Sequence, residues 1–265
     1  MNVFKKIVGH TQSLSPGSLD VTMVLDMELR EAYINIPADS RMKPISQSFM
    51  DTSSTIMNRC NVELLYLKAI VVLHRRYLNV DEPNSVNTKS RGACLEAALR
   101  ILAIQADLHQ ASQLGGQLYD DRWMISSLAA HDFLLAAMVV CLELSMHIRS
   151  ANAERDEDFA KQFDALQTSH IIWASASFYS REAGTAAQTL ELMIQKIKDS
   201  DHVDNPSIVA DLRDTTLNAD ESSLLYAEPM VDMLDGSENL DWVSTFSFRT
   251  FIKASLYLTF MYRRC

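Results

Sequence analysis

The stretch IMNRCNVELLYLKAIVVLHRRYL, residues 56–78, decides the fold. Within it Ile56, Cys60, Leu64, Leu67, Val71, His74 and Leu78 follow one another at steps of 4, 4, 3, 4, 3 and 4, the spacing that gathers side chains on one face of a helix. A long amphipathic helix of about eight turns is predicted here. Its end is expected at Asp81-Glu82-Pro83-Asn84, because proline disfavours helical geometry at the residue before it.

Working outward, the same periodicity recurs on both sides. Upstream, Ser15-Pro16 reads as an N-cap and first helical position, opening a short amphipathic helix that stops near Pro37. Downstream, Thr88 or Ser90 is expected to cap a helix carrying Leu95, Ala98, Leu99, Leu102 and Ala106, which Gly115-Gly116 stops. From Asp121 to Ile148 the pattern changes, since Phe133, Leu134, Leu135, Met138, Val139, Leu142 and Leu144 leave little polar face. Such a helix has to be surrounded by others. A further helix carries Phe159, Phe163, Leu166, Ile171, Trp173 and Phe178, and another follows Gly184 with Leu190, Met193, Ile194 and Ile197 on one side. No segment alternates apolar and polar residues for long enough to demand a strand. The fold class is all-α: a multi-helical domain with a long amphipathic helix and a buried central helix, and no sheet.

Composition agrees. Seven glycines and six prolines in 265 residues make few helix breakers, about 5% where roughly 12% is usual. The 48% hydrophobic and 22% charged shares are those of a globular chain. Twenty-four basic residues against 34 acidic give a net charge of −10, which argues against a surface built to neutralise phosphates. The charge is unevenly spread: Thr245–Cys265 holds four bases and no acid, leaving 20 basic and 34 acidic residues in the first 244. The chain divides into a flexible N-terminus (1–14), a helical domain (15–200), a loop-rich acidic connector (201–244) and a basic apolar tail (245–265). The first 17 residues have no apolar stretch of signal-peptide length. The apolar run Phe133–Met146 is 14 residues long and contains Glu143, short of the roughly 20 that a membrane span needs.

The residues offer little chemistry. The glycines make neither GxGxxG nor a P-loop, and GxSxG and HExxH are absent. Cys60, Cys94, Cys141 and Cys265 stand 34, 47 and 124 residues apart, without the short spacing that holds two ligands on one metal loop. They read as reduced thiols of a cytosolic or nuclear protein. His74, on the apolar stripe, reads as a buried, hydrogen-bonded structural histidine. His131 and Asp132 are adjacent, so on a helix they point about 100° apart and form no catalytic pair. Asp120-Asp121-Arg122-Trp123-Met124 begins like the magnesium motif of isoprenoid synthases, but Met124 stands where a third carboxylate belongs. Asp156-Glu157-Asp158 reads as a solvated charge run. The 13 methionines read as core filling, with an adaptable ligand cavity as the alternative.

Several segments in order resemble the regulatory (middle homology) domain of fungal zinc-cluster transcription factors. These are Leu64 to Arg75, then Ser90-Arg91-Gly92-Ala93-Cys94-Leu95-Glu96-Ala97-Ala98-Leu99-Arg100, then His131 to Val139, and finally Met233-Leu234-Asp235 with Leu240-Asp241-Trp242. Leu25-Asp26-Met27-Glu28-Leu29 through Ile36-Pro37 is similar to what precedes the Leu-His-Arg helix in that family. The likeness covers residues 15–244. It implies a nuclear, non-enzymatic regulatory module with His74, Arg75, Cys94 and Trp242 as structural signature residues. In the family this module follows a six-cysteine zinc cluster that reads DNA. The cluster has no counterpart here, so no cofactor and no direct nucleic-acid contact are expected. The family's helices before residue 15 also have no counterpart, and Arg76 stands where a proline often follows His-Arg. The implied partners are proteins of the transcription machinery or a second copy, with a small-molecule effector possible and no membrane. A metabolite-binding helical sensor and an isoprenoid-synthase-like enzyme are the alternatives. Because the helix Phe133–Met146 is apolar nearly all round, the lack of the family's upstream helices is expected to leave an apolar patch, with dimerisation or poor solubility as the result.

Overall fold

The computed structural model describes residues 2–12, 19–78, 85–125, 127–149 and 157–199. Helices α1 (Asn2–Gln12), α2 (Leu19–Ile34), α3 (Ser53–His74), α4 (Ser85–Ala111), α5 (Ser127–Arg149), α6 (Glu157–Ala176) and α7 (Arg181–Asp199) run through them, and no strand occurs among the described residues. The chain is all-α. Where the sequence reading has one helical domain over 15–200, the structure divides into two compact units within α5. The first takes the described residues up to Val139 and the second those from Val140 onward.

The first unit is organised on α3. Thr52 precedes it with an extended backbone and accepts a hydrogen bond from the Thr55 amide at 3.3 Å, which satisfies one of the open donors of the first turn. All seven residues of the stripe, from Ile56 to Leu78, are buried, each apolar one contributing roughly 1.5–3 kcal/mol by leaving water. The helix is shorter than expected, 22 residues ending at His74. The chain then tightens into a 3-10 turn over Arg75–Tyr77, closed by the Leu78 amide on the Arg75 carbonyl at 3.1 Å. This tightening leaves both Tyr77 and Leu78 in the core. The stop expected at residues 81–84 lies outside the described residues, as does the Ser15-Pro16 cap.

Helix α4 packs antiparallel on α3. The Cys94 thiol donates to the Val71 carbonyl at 3.7 Å near one end, and Gln117, just past α4, donates to the Ser48 carbonyl at 2.6 Å near the other. Because α4 begins at Ser85, Thr88 and Ser90 lie inside the helix, where they do not cap it. The helix ends at Ala111, ahead of the expected Gly115-Gly116 stop; the glycines shape the turn after it, Gly115 sitting at φ +83, a conformation that L side chains rarely adopt, and a Cβ on Gly116 lying 2.1 Å from the Ala111 carbonyl oxygen.

The N-terminus departs from expectation, because residues 2–12 form α1 instead of a flexible segment. Ile7 is fully buried, Lys6 meets Glu28 at 2.7 Å, and His10 Nε2 lies 2.9 Å from the Thr22 hydroxyl. Val3, Phe4, Ile7 and Val8 recur at helical spacing, so the signal is present in the sequence, and the expectation of a flexible segment rests on its terminal position alone. Helix α5 also corrects a reading. Its window Ala129–Ile148 is long and apolar enough to cross a membrane by length and composition, but most of it is buried. Among the described residues none of the large hydrophobic side chains that stand exposed belongs to α5, so the described part of the helix presents no such patch.

In the second unit α6 and α7 pack on each other, with Ala183, Ala186, Ala187, Leu190, Met193, Ile194 and Ile197 of α7 buried. The Ser180 hydroxyl accepts from the Ala183 amide at 3.3 Å and starts α7 before Gly184, where the sequence reading places the start after it. Phe178, expected on the preceding helix, stands in the turn and is exposed. The connector 201–244 and the tail 245–265 lie outside the described residues.

Candidate functional site

Three of the four signature residues converge at the C-terminal end of α3. His74 is its last residue and is buried; Arg75 opens the 3-10 turn and is half-buried; the buried Cys94 lies on α4 against the turn that carries Val71. Trp242 lies outside the described residues. Burial lowers the Arg75 guanidinium from its ordinary value, and neighbouring Arg76 adds to the effect.

Two polar chains cross this end. In the first, His74 Nε2 faces Asp26 Oδ1 on α2 at 3.4 Å, and Arg30, one turn along α2, binds the other carboxylate oxygen at 2.8 Å. His74 is therefore buried as read, but its contact is an ion-pair distance and not a hydrogen bond, and Nδ1 has no hydrogen-bond partner. Burial alone would raise the Asp26 carboxyl, yet the His74 ring and the Arg30 guanidinium outweigh it and hold the group below the ordinary carboxylate range. In the second chain, the Thr22 hydroxyl is 2.9 Å from both His10 Nε2 and the Tyr77 hydroxyl. Thr22 and Asp26 are one turn apart on α2, so a single face of that helix serves both chains. Burial, then the charge of Arg76, lowers His10 from its ordinary value.

Further along α3 three more buried polar groups meet partners distant in sequence. Glu63 accepts a short hydrogen bond from Tyr33, whose ring stacks on Tyr66 with centroids 3.9 Å apart; burial, then the Glu63 contact, pushes the Tyr33 phenol up. Arg59 binds Asp51 at 2.6 Å and the Asp39 carbonyl at 2.7 Å. Lys68, the largest fully buried side chain, reaches Asp132 of α5 at 2.5 Å. Burial raises the Asp132 carboxyl against the pull of Lys68. Sequence reasoning set Asp132 aside after testing it only against His131. A charged residue on an otherwise apolar stretch of α3 was the available signal for Lys68.

The arrangement fastens helices of the first unit together. Asp120 lies in a turn and Asp121 just before the 3-10 turn Arg122–Met124. Glu157 and Asp158 are exposed at the start of α6 and pair with Lys161 at 2.9 and 3.7 Å. Among the described residues no group of three His, Cys, Asp or Glu is placed to hold a metal ion.

The chain is similar to several curated fungal proteins. It is 36% identical over 200 residues to the Zn(2)-C6 fungal-type transcription factor pigI of Monascus ruber, covering 73% of this chain and 25% of that protein. To the Zn(2)-C6 fungal-type transcription factor mpsB of Macrophomina phaseolina it is 34% identical over 207 residues, 76% of this chain and 28% of that one. To the equisetin cluster transcription factor eqxF of Fusarium heterosporum it is 33% identical over 178 residues, 65% and 25%. The chain thus spans about a quarter of the length of the relatives it matches. No family model matches it, and no solved structure does.

The zinc cluster in those names does not fit the residues present. Four cysteines cannot supply six thiolates. Cys60, Cys94 and Cys141 are buried on three different helices, and burial pushes the Cys60 and Cys141 thiols up to about 12, far from the deprotonated form that binds zinc. What the comparison carries is kinship of the helical segment: the chain is a homologue of the fungal zinc-cluster transcription factors.

Proposed function

We propose that this chain is the regulatory module of a transcription regulator, acting in the nucleus through protein or effector contacts, without a cofactor and without DNA contact of its own. The observation that carries the reading is the similarity, over about three quarters of the chain, to proteins named as transcription factors. The net charge of −10 supports the second half of it, since sequence-independent DNA affinity comes from cations that displace counterions. Partners are proteins of the transcription machinery or a second copy of the chain. Because eqxF is named for the equisetin cluster, genes grouped around a single product are the first targets to test.

The test fuses the chain to a heterologous DNA-binding domain in a fungal reporter strain, alongside a gel-shift assay of the chain alone. Reporter output should change in the fusion, and free DNA should not shift. An inert fusion that also captures no nuclear protein would refute the reading. A small effector is the second reading. His74 Nδ1, Arg76 Nη1 and Ser90 Oγ are buried near this end of α3 without hydrogen-bond partners, and such groups cost about 1–3 kcal/mol each until something satisfies them. Thermal shift against a metabolite panel tests it, because a ligand at 100 times its dissociation constant stabilises by about 2.7 kcal/mol.

A further inference from the structure

Helix α1 packs on α2 and α3 through a short set of groups. Ile7 is fully buried, and Lys6 meets Glu28 of α2 at 2.7 Å on the outside, where an ion pair adds little because water screens it. A further tie is a chain of three polar groups that runs from the last turn of α1 into the core. His10 Nε2 lies 2.9 Å from the Thr22 hydroxyl of α2, which lies 2.9 Å from the Tyr77 hydroxyl in the turn after α3. Thr22 and Tyr77 are both buried, so neither hydroxyl can turn to water instead.

Each hydroxyl carries one proton, which fixes how the chain is satisfied. With His10 neutral and its proton on Nδ1, Tyr77 donates to Thr22 and Thr22 donates to Nε2. Two protons then meet two acceptors. With His10 charged, both ring nitrogens are donors. Thr22 must accept from the ring and donate to Tyr77, and the phenol proton is left without an acceptor in the chain, at a buried site where an unmet donor is costly.

The surrounding charges act in the same direction. Arg76, next to Tyr77 in the turn after α3, repels a cation on His10. Lys6, one turn back on α1 itself, is a second cation and is paired with Glu28. On α2, Asp26 stands one turn beyond Thr22, but its two oxygens face His74 and Arg30. The place of His10 in the last turn of a helix is the one feature that favours the charge. Burial, then Arg76, outweighs it and lowers His10 from its ordinary value.

We infer that α1 is a strap gated by His10: with the ring neutral the chain to Thr22 and Tyr77 closes and α1 stays docked on α2 and the end of α3, and with the ring charged the chain reverses and α1 lifts. Lifting uncovers the Thr22 and Tyr77 hydroxyls and the site that Ile7 fills, beside the signature residues His74 and Arg75. The strap goes beyond the transcriptional reading and stands or falls without it.

Because the docked state disfavours the charged ring, docking is complete above the free imidazole value of about 6.5 and weakens as pH falls through it. Amide hydrogen exchange of the full 265-residue chain, corrected for the intrinsic rate and run from about pH 8 to about pH 5, reads this helix by helix. Protection over residues 2–12 should fall by up to about tenfold per pH unit below about pH 6.5, while residues 53–74 of α3 keep theirs. In His10→Gln, whose side-chain oxygen still accepts from Thr22 but takes up no proton, α1 should stay protected to the acid end of the range. Arg76→Gln removes the repulsion and should make the fall about threefold smaller. If His10→Gln does not fold, proton NMR of the wild-type ring carries the test: His10 should titrate below the ordinary value of about 6.5, in step with the loss of α1 protection. Protection of α1 that ignores pH, a fall as steep in the folded His10→Gln, a His10 titration at or above the ordinary value, or a fall shared by α3 would overturn the proposal.

Discussion

Up to Val139 the described core buries Asp26, Arg59, Glu63, Lys68, His74 and Asp132, whereas from Val140 onward the buried polar side chains are the hydroxyls of Ser169 and Thr189. The contrast separates two ways of holding helices together. In the first unit these buried polar groups meet definite partners on other segments of the chain: Lys68 with Asp132, His74 with Asp26, Arg59 with Asp51 and Glu63 with Tyr33. Such pairs add little net stability over apolar residues of the same shape, but they penalise any arrangement in which one partner is misplaced. In the second unit α7 turns alanines and branched aliphatics toward its neighbours, so its cohesion comes from area and close approach. Helix position is therefore specified by pairing in one unit and by shape in the other.

The largest effect should come from breaking a pair on one side only. Lys68→Met leaves Asp132 buried without its cation, and the loss should be about 4 kcal/mol in urea denaturation. Lys68→Met combined with Asp132→Leu should return to within about 1 kcal/mol of wild type, or exceed it. If the double variant were as unstable as the single one, the pair would be contributing stability and not specificity, and the contrast between the units would narrow.

The counterpart in the second unit is Leu190→Ala, at a fully buried position of α7. A loss of about 3 kcal/mol is expected from the removed surface and the cavity. Because no charge is involved, that loss should be the same at pH 5 and pH 8. No second substitution should restore stability except one that refills the volume.

pH distinguishes the units further. Asp26 is held below its ordinary value by His74 and Arg30 against the opposing effect of burial. Its contribution is thus complete above the unfolded carboxyl value of about 3.9 and disappears as pH falls through the lower folded value. Asp132 has the opposite sign: its folded value is raised by burial, so its contribution is present below the unfolded value and is lost as pH rises through the folded one. Asp26→Asn should cost about 1.5 kcal/mol at neutral pH and remove Asp26's share of the decline in acid, read from urea midpoints between about pH 3 and pH 7. An unchanged acid limb would mean that another group sets it.

The apolar stripes of α3 and α7 were legible because every residue named on them is buried, and periodicity reports burial directly. The partners of the buried charges were not. Lys68 and Asp132 are 64 residues apart and Tyr33 and Glu63 are 30 apart, and spacing along one helix carries no information about which residue of another will face it. His74 was legible as a core residue, while its neighbour Asp26 looked like any polar position on α2. The exposure of Phe49, Met50, Leu114 and Trp123 was not legible, because they lie outside every amphipathic pattern and there an exposed apolar residue and a buried one read alike.

The smallest effects should fall on the two capping side chains, and they provide the control for the whole comparison. Thr52 accepts from the amide three residues on at 3.3 Å at the start of α3, and Ser180 accepts in the same way at 3.3 Å at the start of α7. A cap is local: it satisfies one open amide of its own helix, whatever the core beneath contains. Thr52→Ala and Ser180→Ala should therefore each cost about 1 kcal/mol, and at neutral pH their effects should add in the combined variant, since each side chain satisfies an amide of its own helix and the two share no partner. Equal cap losses beside unequal responses to Lys68→Met and Leu190→Ala would place the difference between the units in what they bury. A cap at the polar-cored α3 that cost several times more than the one at α7 would instead mean that the buried pairs depend on how that helix begins, and that local and tertiary order are coupled in the first unit alone.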